Sequence, residues 1–190
     1  MKAKIYLFRH GMTQDNSEGV FSGFRDVPLN KRGIRDAKIV ALRLRDKKFT
    51  LAFQSDLIRS RQTLRQVLAF HKGVKVITDS RIKERNYGKL QGKTHLEICQ
   101  KYGTRKYDGW HRGYENRPPE GESLKDVEVR VLRFIKDLIE IMRDEKINVA
   151  VSAHGNSMRA FRKHFEKLTA SEMCKLYNDY ESVYEYDVEV

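Results

Sequence analysis

Two strand-length apolar stretches in this chain stop at the dipeptide His-Gly. Ile5-Tyr6-Leu7-Phe8 gives way to Arg9-His10-Gly11, and Ile147 to Ala153 gives way to His154-Gly155-Asn156. An apolar run as short as Ile5–Phe8, with no polar break, reads as a strand buried on both faces of a parallel sheet. Open α/β sheets bind their ligands just beyond the carboxyl ends of such strands. A permanent cation, an imidazole and a permissive glycine therefore arrive together where chemistry is usually done. Imidazole is a competent nucleophile, and Arg grips phosphate oxygens in a bidentate fork. His10 is accordingly expected to carry a phosphoryl group. Taken singly, Arg9-His10 reads equally well as a surface loop. If the two strands are sheet neighbours, however, their axes lie about 4.8 Å apart and both imidazoles flank one site.

The remaining pattern alternates strands and helices. Asn30 is expected to cap a helix running to about Lys47, with Ile34, Ala37, Ala41 and Leu44 inward. Short strands are expected at Leu51–Phe53 and Val74–Thr78, with a helix from about Arg59 to Phe70 between them. Thr94-x-x-Glu97 is a capping-box pattern, and Ser123 should cap a long helix to about Arg143 with Val127, Val131, Phe134, Leu138 and Ile141 as its apolar stripe. Met12 to Leu29 reads as a long functional loop, and Gly103 to Gly121 as loop-rich. Val183 to Val190 alternates apolar and acidic residues and should be an edge strand. The fold class is therefore α/β: a three-layer sandwich with a mostly parallel central sheet and helices on both faces. With no repeat or linker, residues 1–190 read as a single domain.

The net charge of +12 invites anionic partners, either nucleic acid or a phosphorylated metabolite. Lys and Arg are spread along the whole chain, and no nucleic-acid-binding motif accompanies them, so a small phosphorylated metabolite is preferred over nucleic acid. Charged residues make up 34%, above the average of about 25%, which suits an ion-pair-rich surface. Cys99 and Cys174 are far apart and read as reduced, buried thiols. No segment suggests a signal peptide or a membrane span, so a cytoplasmic protein is expected. The sequence leaves a homodimer open.

Further residues complete a phosphoryl site. Arg59 follows a third strand end at the opening of a helix, where backbone N–H groups also favour an anion; a solvated helix arginine is the plain alternative. Glu84 lies in an irregular stretch beside Arg85 and Tyr87. Near a dianionic phosphate its pKa should rise, as a general acid requires. No spacing suggests a metal site or a P-loop, and His71 and His164 are expected to be solvated and without a role.

Together these residues resemble the signature of the histidine phosphatase, or phosphoglycerate mutase-like, superfamily. Arg9-His10-Gly11-x-Thr13-x-x-Asn16, Phe21-Ser22-Gly23-x-x-Asp26-Val27-x-Leu29, Glu84-Arg85-Asn86-Tyr87-Gly88-x-Leu90-Gln91-Gly92, Glu122-Ser123-Leu124 and His154-Gly155-Asn156-Ser157-x-Arg159 are similar to segments of its 2,3-bisphosphoglycerate-dependent mutases. Asn156, where general phosphatases more often carry glycine, tilts the resemblance toward the mutases. It implies a phosphohistidine at His10, Glu84 as proton donor and acceptor, and Arg9, Arg59 and His154 as ligands of the phosphoryl group. Asn16, Ser22, Gly23, Arg85, Tyr87, Arg112, Gly155 and Asn156 would line the substrate pocket. The implied reaction interconverts 3-phosphoglycerate and 2-phosphoglycerate, primed by 2,3-bisphosphoglycerate, without a metal. The alternative is a phosphatase of small phosphorylated metabolites using the same intermediate. His95 and His111 stand where the mutase pattern has Lys and Arg. A stretch after Pro118-Pro119 and a tail that would exclude water are also missing relative to that pattern.

Overall fold

The computed structural model describes residues 2–190. Strand β1 (Lys2–Arg9) is the second strand in from one edge of a five-stranded sheet. It pairs in parallel with β4 (Val149–Ala153), which pairs in parallel with β2 (Leu51–Gln54), and that with β3 (Lys75–Thr78). On the other side β5 (Val183–Glu189) runs antiparallel along β1 and closes the edge, as its alternation implied.

The period-2 pleat divides the strands between two cores. Ile5, Leu7, Phe53, Val149 and Val151 pack with Val127, Val131, Phe134 and Leu138 of α6 (Leu124–Glu145), Phe161 of α7 (Gly155–Phe165) and Met173 of α8 (Ala170–Lys175). Tyr6, Phe8, Ala52 and Ala150 face the opposite layer, Val40, Ala41 and Leu44 of α2 (Lys31–Leu44) and Leu64 and Val67 of α3 (Ile58–Val67). Every residue of β4 is buried, which is why its sequence reads as almost continuously apolar.

Local signals placed several helix starts. Asn30 accepts from the Gly33 N–H, and Thr94 and Ser123 form capping boxes with Glu97 and Asp126, opening α4 (His95–Tyr102) and α6. Others needed tertiary contacts. Helix α3 has no cap from its own flank; the Ile58 N–H donates to Asp26 Oδ1 at 2.6 Å. The anion at that helix start is thus a side chain of the chain itself.

Four expectations are corrected. The segment from Gly103 to Gly121 is not mainly loop, since α5 spans Thr104–Arg112. It lacks a side-chain cap and contains Gly109, so propensity argues against it; Tyr107 and Trp110, packed with Tyr102 against the Phe21–Tyr87–Leu90–Ile98 cluster, hold it in place. The loop from Met12 to Leu29 carries a short helix, α1 (Gln14–Ser17), capped by Thr13. Ile34 is 42% exposed, because its neighbours Gly33 and Ala37 take the inward positions. Cys99 and Cys174 are free thiols but only half-buried. Among the described residues, no helix is long and apolar enough to cross a membrane.

Candidate active site

The register of β1 against β4 places Arg9 opposite Ala153, so His10 and His154 leave adjacent strands side by side. Their ring centroids lie 4.8 Å apart. The His10 N–H donates to the Ala153 carbonyl at 3.0 Å, extending the ladder one residue past the strand. Gly11 then turns under α2. A Cβ there would lie 2.1 Å from the Gly33 carbonyl oxygen, and one on Gly33 would lie 1.9 Å from that of Met12. Two glycines are required for this backbone approach, and the second was not singled out from sequence.

His10 is buried, 1% exposed, contrary to the solvent-accessible position expected of a loop nucleophile. Its Nδ1 lies 2.7 Å from the Gly11 carbonyl oxygen. A carbonyl only accepts, so Nδ1 carries the ring hydrogen and Nε2 keeps its lone pair. Burial, then Arg59 and Arg9, holds the His10 pKa well below the usual imidazole range, outweighing the opposing Gly11 hydrogen bond. His154 is depressed in the same way by burial, Arg59, His10, Arg130 and Arg9. Both rings are neutral at neutral pH.

His154 Nε2 is 2.7 Å from Ser55 Oγ, which already accepts from the Leu57 N–H. Ser55 Oγ can donate its proton to Nε2, and in that tautomer the hydrogen of His154 stands on Nδ1. That Nδ1 is buried and has no partner, as are Arg9 Nε, Arg59 Nε and Ser22 Oγ. Unpaired buried polar atoms are costly and rare. Four of them belong to residues expected around one phosphoryl group, and each can donate to an anion.

Arg59 is 1% exposed and gives its two terminal nitrogens to the carbonyls of Arg25 and Gly23, at 2.7 and 2.8 Å. It thus ties the Ser22–Asp26 loop to α3, and only its Nε remains free. Arg9 donates Nη1 to the Asn178 carbonyl at 2.9 Å, while its guanidinium lies 3.9 Å above the Tyr180 ring. Glu84 Oε1 accepts from the Arg85 N–H, the Asn156 N–H and Asn156 Nδ2 at 2.8, 3.0 and 2.8 Å. Its Oε2 makes no hydrogen bond among the described residues and faces Gly155, where a Cβ would sit 3.4 Å from both Glu84 Oε2 and Arg9 Nη2.

One nitrogen each of His10 and His154 and one oxygen of Glu84 lie within 4.8 Å of one another. The sequence spacing had not suggested such a metal-type donor set. The chemistry of its surroundings fits an anion instead: Arg9 and Arg59 both press the two imidazoles toward their neutral forms, and the same positive field opposes a bound cation.

Beside these groups is a cavity of about 160 Å³, bordered by Arg9, Asn16, Ser22, Gly23, Glu84, Tyr87, His95, His111, Gly155 and Asn156 among the residues expected from sequence; His10, Arg59 and His154 lie behind this lining and do not border it. A neighbouring space of about 250 Å³ shares Arg9, Asn16, His95 and His111 and adds Arg112. Arg85 is placed differently. It is fully buried behind the pocket, with Nε on the Glu122 carbonyl at 2.6 Å and Nη2 on that of Asn116 at 2.8 Å. It braces the acid-bearing segment and borders neither space. Arg159 borders both, and Tyr180 and Asn178 border the larger; these were not on the list of site residues read from sequence. The position of Arg159 three residues past Asn156, on the same face of α7, was the available signal.

Residues 5–189, which carry this strand-end histidine pair, the glutamate and the two arginines, match the family model of the histidine phosphatase superfamily (branch 1). The chain belongs to this superfamily. Its curated relatives include the 2,3-bisphosphoglycerate-dependent phosphoglycerate mutase 2 of Gloeobacter violaceus, 38% identical over 94% of this chain and 82% of that protein. The phosphoglycerate mutase of Schizosaccharomyces pombe is 37% identical over 90% of this chain and 83% of that one. Among solved structures, the alpha-ribazole phosphatase from Shigella flexneri superposes with a TM-score of 0.85 at 25% identity, covering 97% of this chain and 93% of that one. The far wall of the pocket carries His95 and His111, where the mutase pattern has Lys and Arg. His95 and His111 stack at 4.6 Å, with Phe21 at 4.2 Å from His95. Burial and Arg112 lower the His95 pKa; burial, His95, Arg112, Arg159 and Arg85 push His111 down to about 3. Without ligand both imidazoles are held toward their neutral forms.

Proposed function

We propose that this protein is a phosphoglycerate mutase that interconverts 3-phosphoglycerate and 2-phosphoglycerate through a phosphohistidine on His10. The observation that carries the reading is the floor of the site. His10 presents an unprotonated Nε2 beside four unpartnered buried polar atoms of Arg9, Ser22, Arg59 and His154. The two mutase relatives support the substrate. Primed His10 passes its phosphoryl group to the free hydroxyl of 3-phosphoglycerate; His10 Nε2 then attacks the other phosphorus of the ester so formed, whose bond to oxygen breaks to release 2-phosphoglycerate. Arg9, Arg59 and His154 Nδ1–H stabilise the charge on the equatorial oxygens, the main requirement of phosphoryl transfer. Glu84, with Oε2 unbonded, gives the departing oxygen its proton and takes one from the hydroxyl that receives the phosphoryl group back. The same floor fits 2,3-bisphosphoglycerate, which would be held by those residues and would supply the phosphoryl group that primes His10.

A second reading has a specific observation behind it. The neutral His95–His111 wall lacks the paired cations of the mutase pattern, and the Shigella flexneri relative is a phosphatase. Hydrolysis of a small phosphorylated metabolite would use the same His10 step, with water taking the phosphoryl group. One assay separates the two: 3-phosphoglycerate with and without catalytic 2,3-bisphosphoglycerate, following isomerisation and free phosphate together. The mutase reading expects priming to raise the rate and isomerisation to outpace phosphate release. Rapid release from several unrelated phosphomonoesters, without isomerisation, would establish the phosphatase.

A further inference from the structure

With His95 and His111 neutral, the pocket still contains a cation that the phosphoryl group does not use. Arg159 sits on α7, on the same face as Asn156 three residues earlier, and borders both parts of the cavity. Its Nε donates to the Leu176 carbonyl at 3.1 Å and its Nη1 to Asn156 Oδ1 at 3.2 Å. Nη2 has no hydrogen-bond partner among the described residues, and Arg159 has no ion pair with a carboxylate. Unlike the unpartnered nitrogens of Arg9, Arg59 and Arg85, Nη2 is not sealed from solvent. A partly buried guanidinium, fixed in its plane by two carbonyl-type acceptors and open at its third nitrogen, is pre-organised for a planar anion. Arg112 borders the same larger space and makes no hydrogen bond or ion pair among the described residues, but it is exposed and its field is weakened by water and salt.

We propose that Arg159 binds a second anionic group on the substrate, the carboxylate of a phosphorylated hydroxy acid, and so sets specificity. This rests on the reading of the floor as a phosphomonoester site. Asn156 links the two ends: its Oδ1 accepts from Arg159, while its Nδ2 donates to Glu84 Oε1 and to Tyr87 Oη. A carboxylate held at Arg159 is therefore held at a fixed distance from the proton donor.

The test compares two ligands that differ at one carbon, 3-phosphoglycerate and glycerol 3-phosphate, with dissociation constants measured by calorimetry. The wild type should prefer the carboxylate-bearing ester by about 10-fold or more, the scale of a charged hydrogen bond. Arg159→Gln should lose most of that preference while its affinity for glycerol 3-phosphate changes less than about 3-fold. Arg159→Lys, which keeps the charge but not the fork, should retain part of it and serves if the Gln variant fails to fold. The wild-type preference should hold between pH 6 and 8, because the groups facing the subsite are Arg159, Arg112, Arg9, His95 and His111 with lowered pKa values, the Tyr87, Tyr107, Tyr177 and Tyr180 phenols, and Glu84. A preference unchanged in Arg159→Gln, an equal loss for both ligands, or a preference that collapses toward pH 8 would each overturn the subsite. Failure of the wild type to bind either ester would remove the phosphomonoester reading beneath it.

Discussion

The floor and the far wall of the pocket are built by opposite means. The floor hangs from two central strands. His10 and His154 are 1% and 0% exposed, and their places follow from the β1–β4 register and from a main-chain bond to Ala153. The wall is carried by α4 and α5, two short helices with one buried residue, Ile98, between them. Rigid, dry and positively charged, the floor suits a reaction whose demand is charge stabilisation in fixed geometry. On the proposed reading, the sheet sets the transfer chemistry, and the peripheral helices with Arg159 set the choice of substrate.

The sharpest way to break this comparison is to remove the nucleophile without disturbing the floor. His10→Ala would leave a cavity and an unpaired Gly11 carbonyl in a buried place. His10→Asn keeps a donor near the Nδ1 position, so it should fold with nearly wild-type thermal stability and lose all phosphoryl transfer and all phosphohistidine by mass spectrometry. A folded His10→Asn protein with substantial turnover would remove the mechanism. The next effect belongs to the acid. Glu84→Gln preserves shape and part of the hydrogen bonding, so kcat should fall about 10²–10⁴-fold with a much smaller change in KM. An unchanged kcat would assign the proton to another group.

The smallest effect distinguishes wall from floor through pH. His10, His154, His95 and His111 all have folded-state pKa values below the usual 6.5. Below that pH the unfolded chain binds more protons than the folded one, so stability is fully present above about 6.5 and falls as pH drops. Each such histidine contributes a slope of up to roughly 1.4 kcal/mol per pH unit. Thermal unfolding should shift down between pH 7 and pH 5. In a His95→Phe, His111→Phe double variant, which keeps the ring packing, the downward shift should shrink by about a third, because His71 and His164 are lowered as well. Equal slopes in the two proteins would mean that the wall histidines titrate normally.

Residues whose role is local were legible one by one. Asn30, Thr94 and Ser123 announce helix starts because a cap needs only a side chain within three residues of an N–H. The Arg59 side chain illustrates the limit. Its membership of the site was readable, but its attachment to the Gly23 and Arg25 carbonyls was not, since nothing near residue 59 announces a loop more than thirty positions away. Arg85 was misplaced for the same reason, its acceptors lying at Asn116 and Glu122.

By itself the sequence determined the alternating α/β plan, the strand-end histidines and the family to which they belong, because apolar periodicity and strand-end residues are properties of contiguous segments. Tertiary structure alone decided that β1 and β4 are neighbours, that His10 is buried, that α5 forms despite its glycine, and that His95 and His111 are neutral. Each of these depends on desolvation or on charges brought from distant segments, and burial and electric field are sums over neighbours that no local pattern of residues contains.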